Sequence, residues 1–343
     1  MHNINPNLRF QRRVTPSVET YVAAISQGNR VVLSQAITLL ESTRPEHQAV
    51  AQQIIDACLP IANAQNTLRI GITGTPGVGK STFIETFGTH FTTQGHQVAV
   101  LTIDPSSQVS HGSILGDKTR MFHLSTNPNA FIRPSPSGDS LGGVARKTRE
   151  SIVLCEAAGF DTIIVETVGV GQSETAVHSM TDFFLLLLLP NAGDDLQGIK
   201  RGIVEMADMI AVNKADGDAE KAAQQAQIFY KNALHLYPPK ENNWVPQVLT
   251  CSALTKAGIE DIAHLIREYQ RFTQGNNFYY DNRKAQSLYW LTETIEANLK
   301  KIFYATPSVS QAFEAIQQQV LDGKMSPFAA AEKLLKTLDI TNI

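Results

Sequence analysis

The string Gly74-Thr-Pro-Gly-Val-Gly-Lys80-Ser81 limits the possible folds more than any other feature, because it fits the phosphate-loop pattern GxxxxGK[ST]. An apolar run, Leu68 to Thr73, precedes it, and a helix-compatible stretch, Ser81 to Phe91, follows. In this context, glycines let backbone N–H groups turn toward phosphates at the amino end of a helix. A plain glycine turn is the alternative. We predict a triphosphate cradle formed by Gly74, Thr75, Pro76, Gly77, Val78, Gly79, Lys80, Ser81 and Thr82.

Each side chain at the end of this string has a separate role in such a cradle. The Lys80 ammonium is expected to reach the β and γ phosphate oxygens. The Ser81 hydroxyl is expected to ligate Mg²⁺, which takes oxygen ligands. The sequence therefore predicts both a nucleotide and a metal ion at this loop.

The middle of the chain alternates short apolar runs with stretches suited to helices. Runs buried on both faces and separated by helices are typical of a mostly parallel sheet in an α/β layer fold. We predict a P-loop fold with a central sheet flanked by helices, and Leu185 to Leu189 as a buried central strand. The predicted strands are Leu68 to Thr73, Val98 to Ile103, Ala130 to Ile132, Thr162 to Val165, Phe183 to Leu189, Met209 to Val212 and Val245 to Leu249.

Helical patterns lie on both sides of this core. Apolar positions at helical spacing fill Pro16 to about Gln65, with breaks predicted at Gly28, Pro45 and Pro60. After about Phe272 the strands stop and three helices are predicted, at Asp281 to Tyr304, Pro307 to Leu321 and Pro327 to Leu338. Thr306-Pro307 and Ser326-Pro327 are predicted to open the last two as pairs of a capping residue and a first-turn proline. The predicted organisation is an N-terminal helical extension at 1–66, a nucleotide-binding domain at 67–272 and a C-terminal helical arm at 273–343.

Two short elements point to guanine as the base. Asn213-Lys214-Ala215-Asp216 follows an apolar strand, as the NKxD element of GTPases does. The Asp216 carboxylate would accept hydrogen bonds from the ring N–H and the exocyclic amine of guanine, and adenine lacks that ring donor. Ser252-Ala253-Leu254 resembles the companion element whose backbone N–H meets the guanine oxygen. A helix-capping loop is the alternative for the first element alone.

The end of another predicted strand supplies a carboxylate near the metal. Glu166-Thr-Val-Gly169 stands where GTPases usually carry DxxG, with an acidic metal-shell residue and a glycine whose N–H contacts the γ-phosphate. Position 170 is Val, where many GTPases place a water-orienting Gln, so unassisted hydrolysis is expected to be slow. Gln172 either substitutes for it or is an exposed loop residue.

Composition argues against several other classes of protein. The formal net charge is −3 without an extended basic block, so we expect no nucleic acid and no membrane as main partner. The three cysteines are an odd number and widely spaced, which favours reduced, buried thiols. With no apolar stretch of signal-peptide length near the N-terminus, a cytoplasmic location is expected, and a short cleaved organelle presequence is the alternative.

Four longer strings resemble the MeaB/ArgK family of GTPases, and the similarity extends over nearly the whole chain. They are far more specific than a phosphate-loop motif. They are Ser113-Ile-Leu-Gly-Asp-Lys-Thr-Arg-Met121, Phe131-Ile-Arg-Pro-Ser-Pro-Ser137, Leu141-Gly-Gly-Val-Ala-Arg-Lys-Thr-Arg-Glu150 and Glu166-Thr-Val-Gly-Val-Gly-Gln-Ser-Glu174.

The resemblance implies a homodimeric GTPase chaperone of adenosylcobalamin-dependent methylmalonyl-CoA mutase or a related acyl-CoA mutase. Such proteins use GTP hydrolysis to gate cofactor delivery and to protect the mutase. It further implies that Asp104, Asp117 and Glu166 belong to the metal and switch region. Lys200, in a loop that senses the partner, would enter the site as a catalytic cation, as an arginine finger does. A solvated loop position is the alternative for Lys200.

Two loops depart from the family pattern, and one other function is attached to it. Gln108-Val-Ser-His111 and Ser137-Gly-Asp-Ser140 differ from what the family leads us to expect, which puts switch timing in question but leaves the phosphate cradle intact.

The alternative function is an ATP-dependent kinase of an arginine/ornithine transport binding protein. The guanine-selecting element argues against it. A metal-loading GTPase is also disfavoured, since such proteins usually carry His or Cys clusters.

Overall fold

The computed structural model describes residues 16–103, 121–134, 141–167, 173–190 and 201–337. The chain divides into two compact units, Met1–Arg283 and Lys284–Ile343. The first unit contains the sheet and the predicted nucleotide site. The second contains only helices among its described residues.

A seven-stranded sheet forms the centre of the first unit, in the order β3-β2-β4-β1-β5-β6-β7. Every pair of neighbours is parallel. This confirms the predicted fold class. The strands are β1 (Leu68–Gly74), β2 (Val98–Ile103), β3 (Ala130–Arg133), β4 (Thr162–Thr167), β5 (Phe183–Leu188), β6 (Met209–Val212) and β7 (Gln247–Thr250).

Each predicted apolar run coincides with one strand, and the differences lie at the ends. β4 continues through Glu166 to Thr167, because those two residues still pair with β2. β7 starts at Gln247 instead of Val245. Val245 is exposed, and the next residue, Pro246, has no N–H to donate to the neighbouring strand.

Helices cover the sheet and bury large side chains against it. Phe83, Phe87 and Phe91 on one face of α4 are fully buried. Burying each such side chain stabilises the fold by about 1.5–3 kcal/mol. The helices of this layer are α4 (Lys80–Thr93), α5 (Phe122–Thr126), α6 (Leu141–Ala157), α7 (Ser173–His178), α8 (Arg201–Met206), α9 (Glu220–Leu234) and α10 (Ile259–Gly275).

Helices precede the sheet, as predicted, and the described residues form three of them: α1 (Val18–Ser26), α2 (Arg30–Glu41) and α3 (Pro45–Asn63). The Ser17 and Asn29 side chains cap the first two by accepting backbone N–H groups. The predicted break at Pro60 is wrong, because Pro60 lies inside α3. It lies in the last turn, so the backbone hydrogen bond that proline cannot make is lost near an end that frays in any case.

The C-terminal helices are α11 (Phe278–Ala305), which runs across the boundary between the units, α12 (Pro307–Leu321) and α13 (Pro327–Lys336). Ser326 caps α13 as predicted, by accepting the Ala329 N–H. Thr306 at the start of α12 does not cap it, since its hydroxyl donates to the Ile302 carbonyl instead. Val309, Ile316, Ala330 and Leu334 form the small apolar core of the second unit.

The cysteines, the helices and the leucine string can be compared with the sequence in turn. All three cysteines are free and buried, as expected. Among the described residues, none of the helices combines the length and apolarity needed to span a bilayer. The leucine string of β5 is a fully buried strand between β1 and β6.

Candidate nucleotide site

The phosphate loop connects β1 to α4 through three glycines with positive φ. A Cβ on Gly74 would lie 2.5 Å from the Leu187 carbonyl oxygen on the neighbouring strand, so only glycine fits. Gly79 caps the amino end of α4 at φ 93°, and a Cβ there would lie 3.0 Å from Asn213 Nδ2. Gly77, at φ 81°, has open space around it. The loop is therefore shaped by steric contact at its two ends and by conformation alone in its middle.

Lys80, the first residue of α4, is folded back over this loop. Its Nζ donates to the carbonyl oxygens of Gly74 at 2.7 Å and Thr75 at 3.4 Å. Burial lowers the Lys80 pKa, and the charges of Glu166 and Glu174 act in the opposite direction. The ammonium thus lies against the loop that it would close around a phosphate chain.

Glu174 is a residue to which sequence reasoning gave no role. It lies in the first turn of α7, is buried, and its charge reaches Lys80. The signal was available, since an acidic residue eight positions after Glu166 falls within one of the strings that carry the family resemblance. The site therefore holds two buried carboxylates beside one buried ammonium.

The side chains of Ser81 and Glu166, both predicted metal ligands, are in contact. The Ser81 hydroxyl donates to Glu166 Oε1 at 3.2 Å, although the two residues lie 85 positions apart. Glu166 is buried at the end of β4, next to the P-loop strand. A hydroxyl and a carboxylate are hard oxygen ligands of the kind that Mg²⁺ prefers. These two residues fit a magnesium ion bound beside the phosphates, where it would neutralise charge.

Five other residues named from the sequence lie outside the described part of the chain: Asp104, Asp117, Gly169, Gln172 and Lys200. Just before Gly169, Thr167 donates from its hydroxyl to Thr73 Oγ1 at 2.9 Å. This bond ties the end of β4 to the end of β1, one residue before the phosphate loop. The strand that carries Glu166 is thereby held in register with that loop.

Asn213 joins the base-selecting element to the phosphate loop. Its Nδ2 donates to the Val78 carbonyl at 2.9 Å, and its Oδ1 accepts the Ala253 N–H at 3.1 Å. The neighbouring Lys214 donates from Nζ to the Gly77 carbonyl at 2.8 Å. One amide side chain thus connects three separate loops at the carboxyl edge of the sheet.

Asp216 is held by the second base element, because the Ser252 hydroxyl donates to its Oδ2. Asp216 makes no side-chain bond to the short 3₁₀ turn that follows it, Gly217–Ala219. The Asp216 carboxylate therefore does not cap this turn, which argues against the alternative that the element is a helix-capping loop. Thr86 of α4 donates to the Ala253 carbonyl at 2.8 Å, which fixes the same loop to the phosphate-binding helix. Leu254 is exposed at the edge of this loop.

Strand, loop and helix therefore bring the predicted phosphate cradle, the predicted metal-binding pair and the predicted base-selecting carboxylate together at the carboxyl ends of the parallel strands. Residues 33–308 match the sequence profile of the family described as "Methylmalonyl Co-A mutase-associated GTPase MeaB". The chain belongs to the MeaB/ArgK family of GTPases. Membership confirms the resemblance inferred from the four sequence strings.

Relatives of known name agree with this MeaB/ArgK assignment. A "Putative GTPase" of Caulobacter vibrioides is 48% identical over 308 residues, covering 90% of this chain and 94% of that protein. The mouse "Methylmalonic aciduria type A homolog, mitochondrial" is 44% identical over 327 residues, covering 93% and 79%. A crystal structure described as "LAO/AO transport system kinase" superposes with a TM-score of 0.74 at 39% identity, covering 93% and 96%.

Proposed function

We propose that this MeaB/ArgK GTPase is the chaperone of an adenosylcobalamin-dependent acyl-CoA mutase, methylmalonyl-CoA mutase or a close relative. GTP hydrolysis would gate delivery of the cofactor to the mutase and protect it from inactivation. The family description names that mutase, and the mouse relative is named for methylmalonic aciduria. Two observations support the proposal: the chain belongs to a family described as mutase-associated, and Lys80, Ser81, Glu166 and Asp216 lie at the same end of the sheet.

The catalytic part of the proposal assigns roles to the residues of the site. Lys80 would bind the β and γ phosphates, while Ser81 and Glu166 would hold Mg²⁺, which neutralises phosphate charge. Val170 replaces the water-orienting glutamine, so turnover of the free protein would be slow. Lys200 is proposed to supply positive charge once the mutase is bound, and Asp104 and Asp117 to complete the metal and switch region.

The base-binding part of the proposal explains the choice of GTP. Asp216 would accept two hydrogen bonds from guanine, and Ser252 holds it by a hydroxyl hydrogen bond. A site that requires such bonds can reject the wrong base by about 10⁴–10⁵, because its buried polar groups would be left unpaired. GTP, GDP and Mg²⁺ are therefore the proposed ligands, and the cytoplasm, where they are abundant, the proposed location.

Homodimerisation through the C-terminal arm completes the proposal. One face of α11 carries five exposed aliphatic side chains at intervals of three and four residues: Leu288, Leu291, Ile295, Leu299 and Ile302. Such a stripe is typical of helices that pair along one face, which supports the proposed dimer. A double Leu291→Glu/Ile295→Glu variant should sediment as a monomer if two copies pair there. Sedimentation of wild-type protein as a monomer at micromolar concentration would count against the dimer.

The test of the chaperone proposal measures GTP turnover with and without purified methylmalonyl-CoA mutase. Stimulation of at least tenfold is expected with GTP and none with ATP. Lys80→Ala should lose turnover in both conditions. The matched control is Lys301→Ala, on the exposed part of α11. Absence of stimulation by methylmalonyl-CoA mutase and by a related acyl-CoA mutase would overturn the chaperone role. It would not affect the assignment of the protein as a GTPase.

A second candidate function is a kinase of a transport binding protein. It is suggested by the name of the structural relative with a TM-score of 0.74. That activity needs ATP as donor and a protein acceptor, whereas Asp216 and Ser252 form an element suited to guanine. Incubation with γ-labelled ATP and periplasmic arginine/ornithine-binding protein distinguishes the two. Transfer of label to that protein would favour the kinase.

A further inference from the structure

A second cavity lies in the first unit at the amino ends of the strands, on the side of the sheet away from the predicted nucleotide site. Its walls include Asp182, Phe184 and Asp208, which stand at the amino ends of β5 and β6. The predicted nucleotide-binding residues follow the carboxyl ends of the strands. Because the strands are parallel, the two sites lie at opposite ends of the strands. The volume of the cavity is about 1140 Å³. That is as large as the pockets of drug-sized ligands, which run to about 1,000 Å³.

The walls combine aromatic rings with carboxylates. The rings are those of Phe184, Tyr237, Trp244, Tyr269 and Phe278. Trp244 and Tyr269 pack edge to face, with centroids 5.2 Å apart, which makes this wall rigid. Flat aromatic faces next to negative charge are the setting in which organic cations bind.

Two of the four lining carboxylates are already neutralised. Asp208 accepts from Lys240 Nζ at 2.7 Å and from the Phe184 N–H at 2.9 Å. Asp182 pairs with Arg283 at 2.6 Å. Their charges hold the walls together, so neither is available to attract a ligand.

Glu205 and Glu241 are the other two lining carboxylates, and both are exposed. Neither has an ion-pair partner among the described residues. His178, which also lines the cavity, has its pKa lowered by burial and is therefore neutral near pH 7. Among the described residues, the lining therefore has an excess of negative charge, which disfavours phosphates and carboxylates as ligands.

The helices that form one side of this cavity begin near Glu166, which was assigned to the metal and switch region, and near Lys200, which was assigned to the partner-sensing loop. α7 contributes Thr175 and His178, and it starts at Ser173, seven residues after Glu166. α8 contributes Glu205 and Met206 and starts directly after position 200. Each helix has six residues, so a shift at its amino end reaches the cavity within two turns. GTPases reorder such loops between their nucleotide states.

We propose that this cavity is a second ligand site, which takes an organic cation with an aromatic or aliphatic body and whose occupancy is coupled to the bound nucleotide. The amino or guanidino group lies toward Glu205 and Glu241, and the body lies against the rings of Tyr237 and Trp244. The coupling acts through α7 and α8. The site is separate from the guanine nucleotide site and does not depend on the mutase as partner.

Trp244 provides a direct measurement, because the chain has two tryptophans and the other, Trp290, lies outside the cavity. In a Trp290→Phe variant with unchanged GTP turnover, the emission of Trp244 is titrated with benzylamine, benzyl alcohol and benzoate. These probes share one ring and differ in charge. A saturable change with benzylamine, at least tenfold tighter than with benzoate, is expected. Equal responses to the cation and the anion would overturn the site.

Removing the charges of Glu205 and Glu241 tests their role in binding the cation, and changing the bound nucleotide tests the coupling. Glu205→Gln/Glu241→Gln should weaken benzylamine at least fivefold, whereas the matched control Glu260→Gln/Asp261→Asn, at the start of α10, should not. Equal weakening in both pairs would reduce the effect to net charge and sink the site. Benzylamine affinity should differ at least threefold between GDP and a non-hydrolysable GTP analogue. Identical affinities would refute the coupling while leaving the site in place.

Discussion

The hydroxyl of Ser252 donates a hydrogen bond to the carboxylate of Asp216, although 36 residues separate them. In the proposed role, Asp216 would need a fixed orientation to accept two hydrogen bonds from guanine, and this contact would supply it. Ser252→Ala should weaken GDP binding by about 0.5–1.5 kcal/mol, or roughly two- to thirteenfold. Isothermal titration calorimetry measures the change.

Ser252→Thr is the matched control, because it keeps the hydroxyl. It should bind GDP within about twofold of wild type if the added methyl group is accommodated. Binding by Ser252→Ala that equals wild type would show that Asp216 is oriented by other groups. Any loss that appears with ADP to the same extent would point to general damage of the loop.

The contact between Ser81 and Glu166 leads to a prediction about magnesium. Glu166→Gln keeps the size of the side chain and removes the negative charge that would attract the ion. Loss of a residue that orients or binds a metal typically costs about 10–100-fold in metal affinity or activity. The Mg²⁺ concentration for half-maximal GTP turnover should rise accordingly. Glu85→Gln, which alters a carboxylate of α4 bonded to the His123 and Leu124 N–H groups, should leave that concentration unchanged.

Local rules were enough to predict the strands and the phosphate loop, because both depend on residues close together in sequence. A run of apolar residues such as Phe183–Leu188 is buried on both faces wherever it pairs. The link from Asn213 to Val78 could not be predicted, since it spans 135 positions and depends on which strands are neighbours. The strand order puts β1 between β4 and β5, and that order brings the loops together.

Strand ends and helix caps were less predictable, because they depend on contacts that compete. The Thr306 hydroxyl was expected to cap α12 and instead bonds to the preceding helix. Pro60 was expected to break a helix and lies within one, since only one turn remains after it. In both cases the residue type allowed two local structures, and the surrounding chain determined which one formed.

Gly74 and Gly77 allow steric contact to be separated from backbone conformation. Both have positive φ, but only Gly74 faces a backbone atom, since a Cβ added to it would lie 2.5 Å from the Leu187 carbonyl oxygen. Gly77→Ala should therefore cost about 1–2 kcal/mol, the penalty for a left-handed alanine. Gly74→Ala should cost more, because β1 must also move away from β5. Urea unfolding of both variants, with equal m-values, makes the comparison.

An equal loss of unfolding free energy in the two variants would contradict the steric argument. Binding of GDP provides a second readout. Gly74→Ala should reduce GDP affinity more strongly than Gly77→Ala, because a displaced strand end carries the loop with it. The reverse order would mean that the Gly77 conformation matters more for the phosphates.

Buried thiols predict the behaviour of the protein at alkaline pH. Burial raises the pKa of Cys58 to about 11 and that of Cys251 to about 12, from an ordinary value of 9.0. Folded thiols keep their protons to higher pH than unfolded ones. The unfolding free energy should therefore decrease as the pH rises above about 9. A Cys58→Ala/Cys251→Ala variant should show a smaller decrease in urea titrations between pH 8 and 10.

The same thiols should react slowly in the native state. At pH 8 a thiol with a pKa of about 11 has roughly 100-fold less thiolate than an unperturbed one, and burial restricts access further. Labelling by a chromogenic disulfide reagent should be slow without urea and rapid with it. Fast labelling of one thiol in native protein would show that its surroundings open on the time scale of the reaction.

A cluster of buried charges at the amino end of β1 predicts an unequal effect of removing its members. Arg69 and Glu156 form two hydrogen bonds, at 2.7 and 2.8 Å, and Arg283 pairs with Asp182. The charge of Arg149 is felt in the same cluster and its pKa is lowered to about 10, first by its own burial and then by Arg69. Three cations thus face two carboxylates.

Removal of an anion from this cluster should therefore cost more than removal of a cation. Glu156→Gln leaves three positive charges with only Asp182, and breaking a buried pair in this way typically costs about 3–5 kcal/mol. Arg149→Met leaves two charges of each sign and removes the one whose burial is least compensated, so its cost should be smaller. Urea unfolding at pH 7 gives both values. Should Arg149→Met prove the more damaging, Arg149 would have to be stabilising the cluster through contacts other than charge.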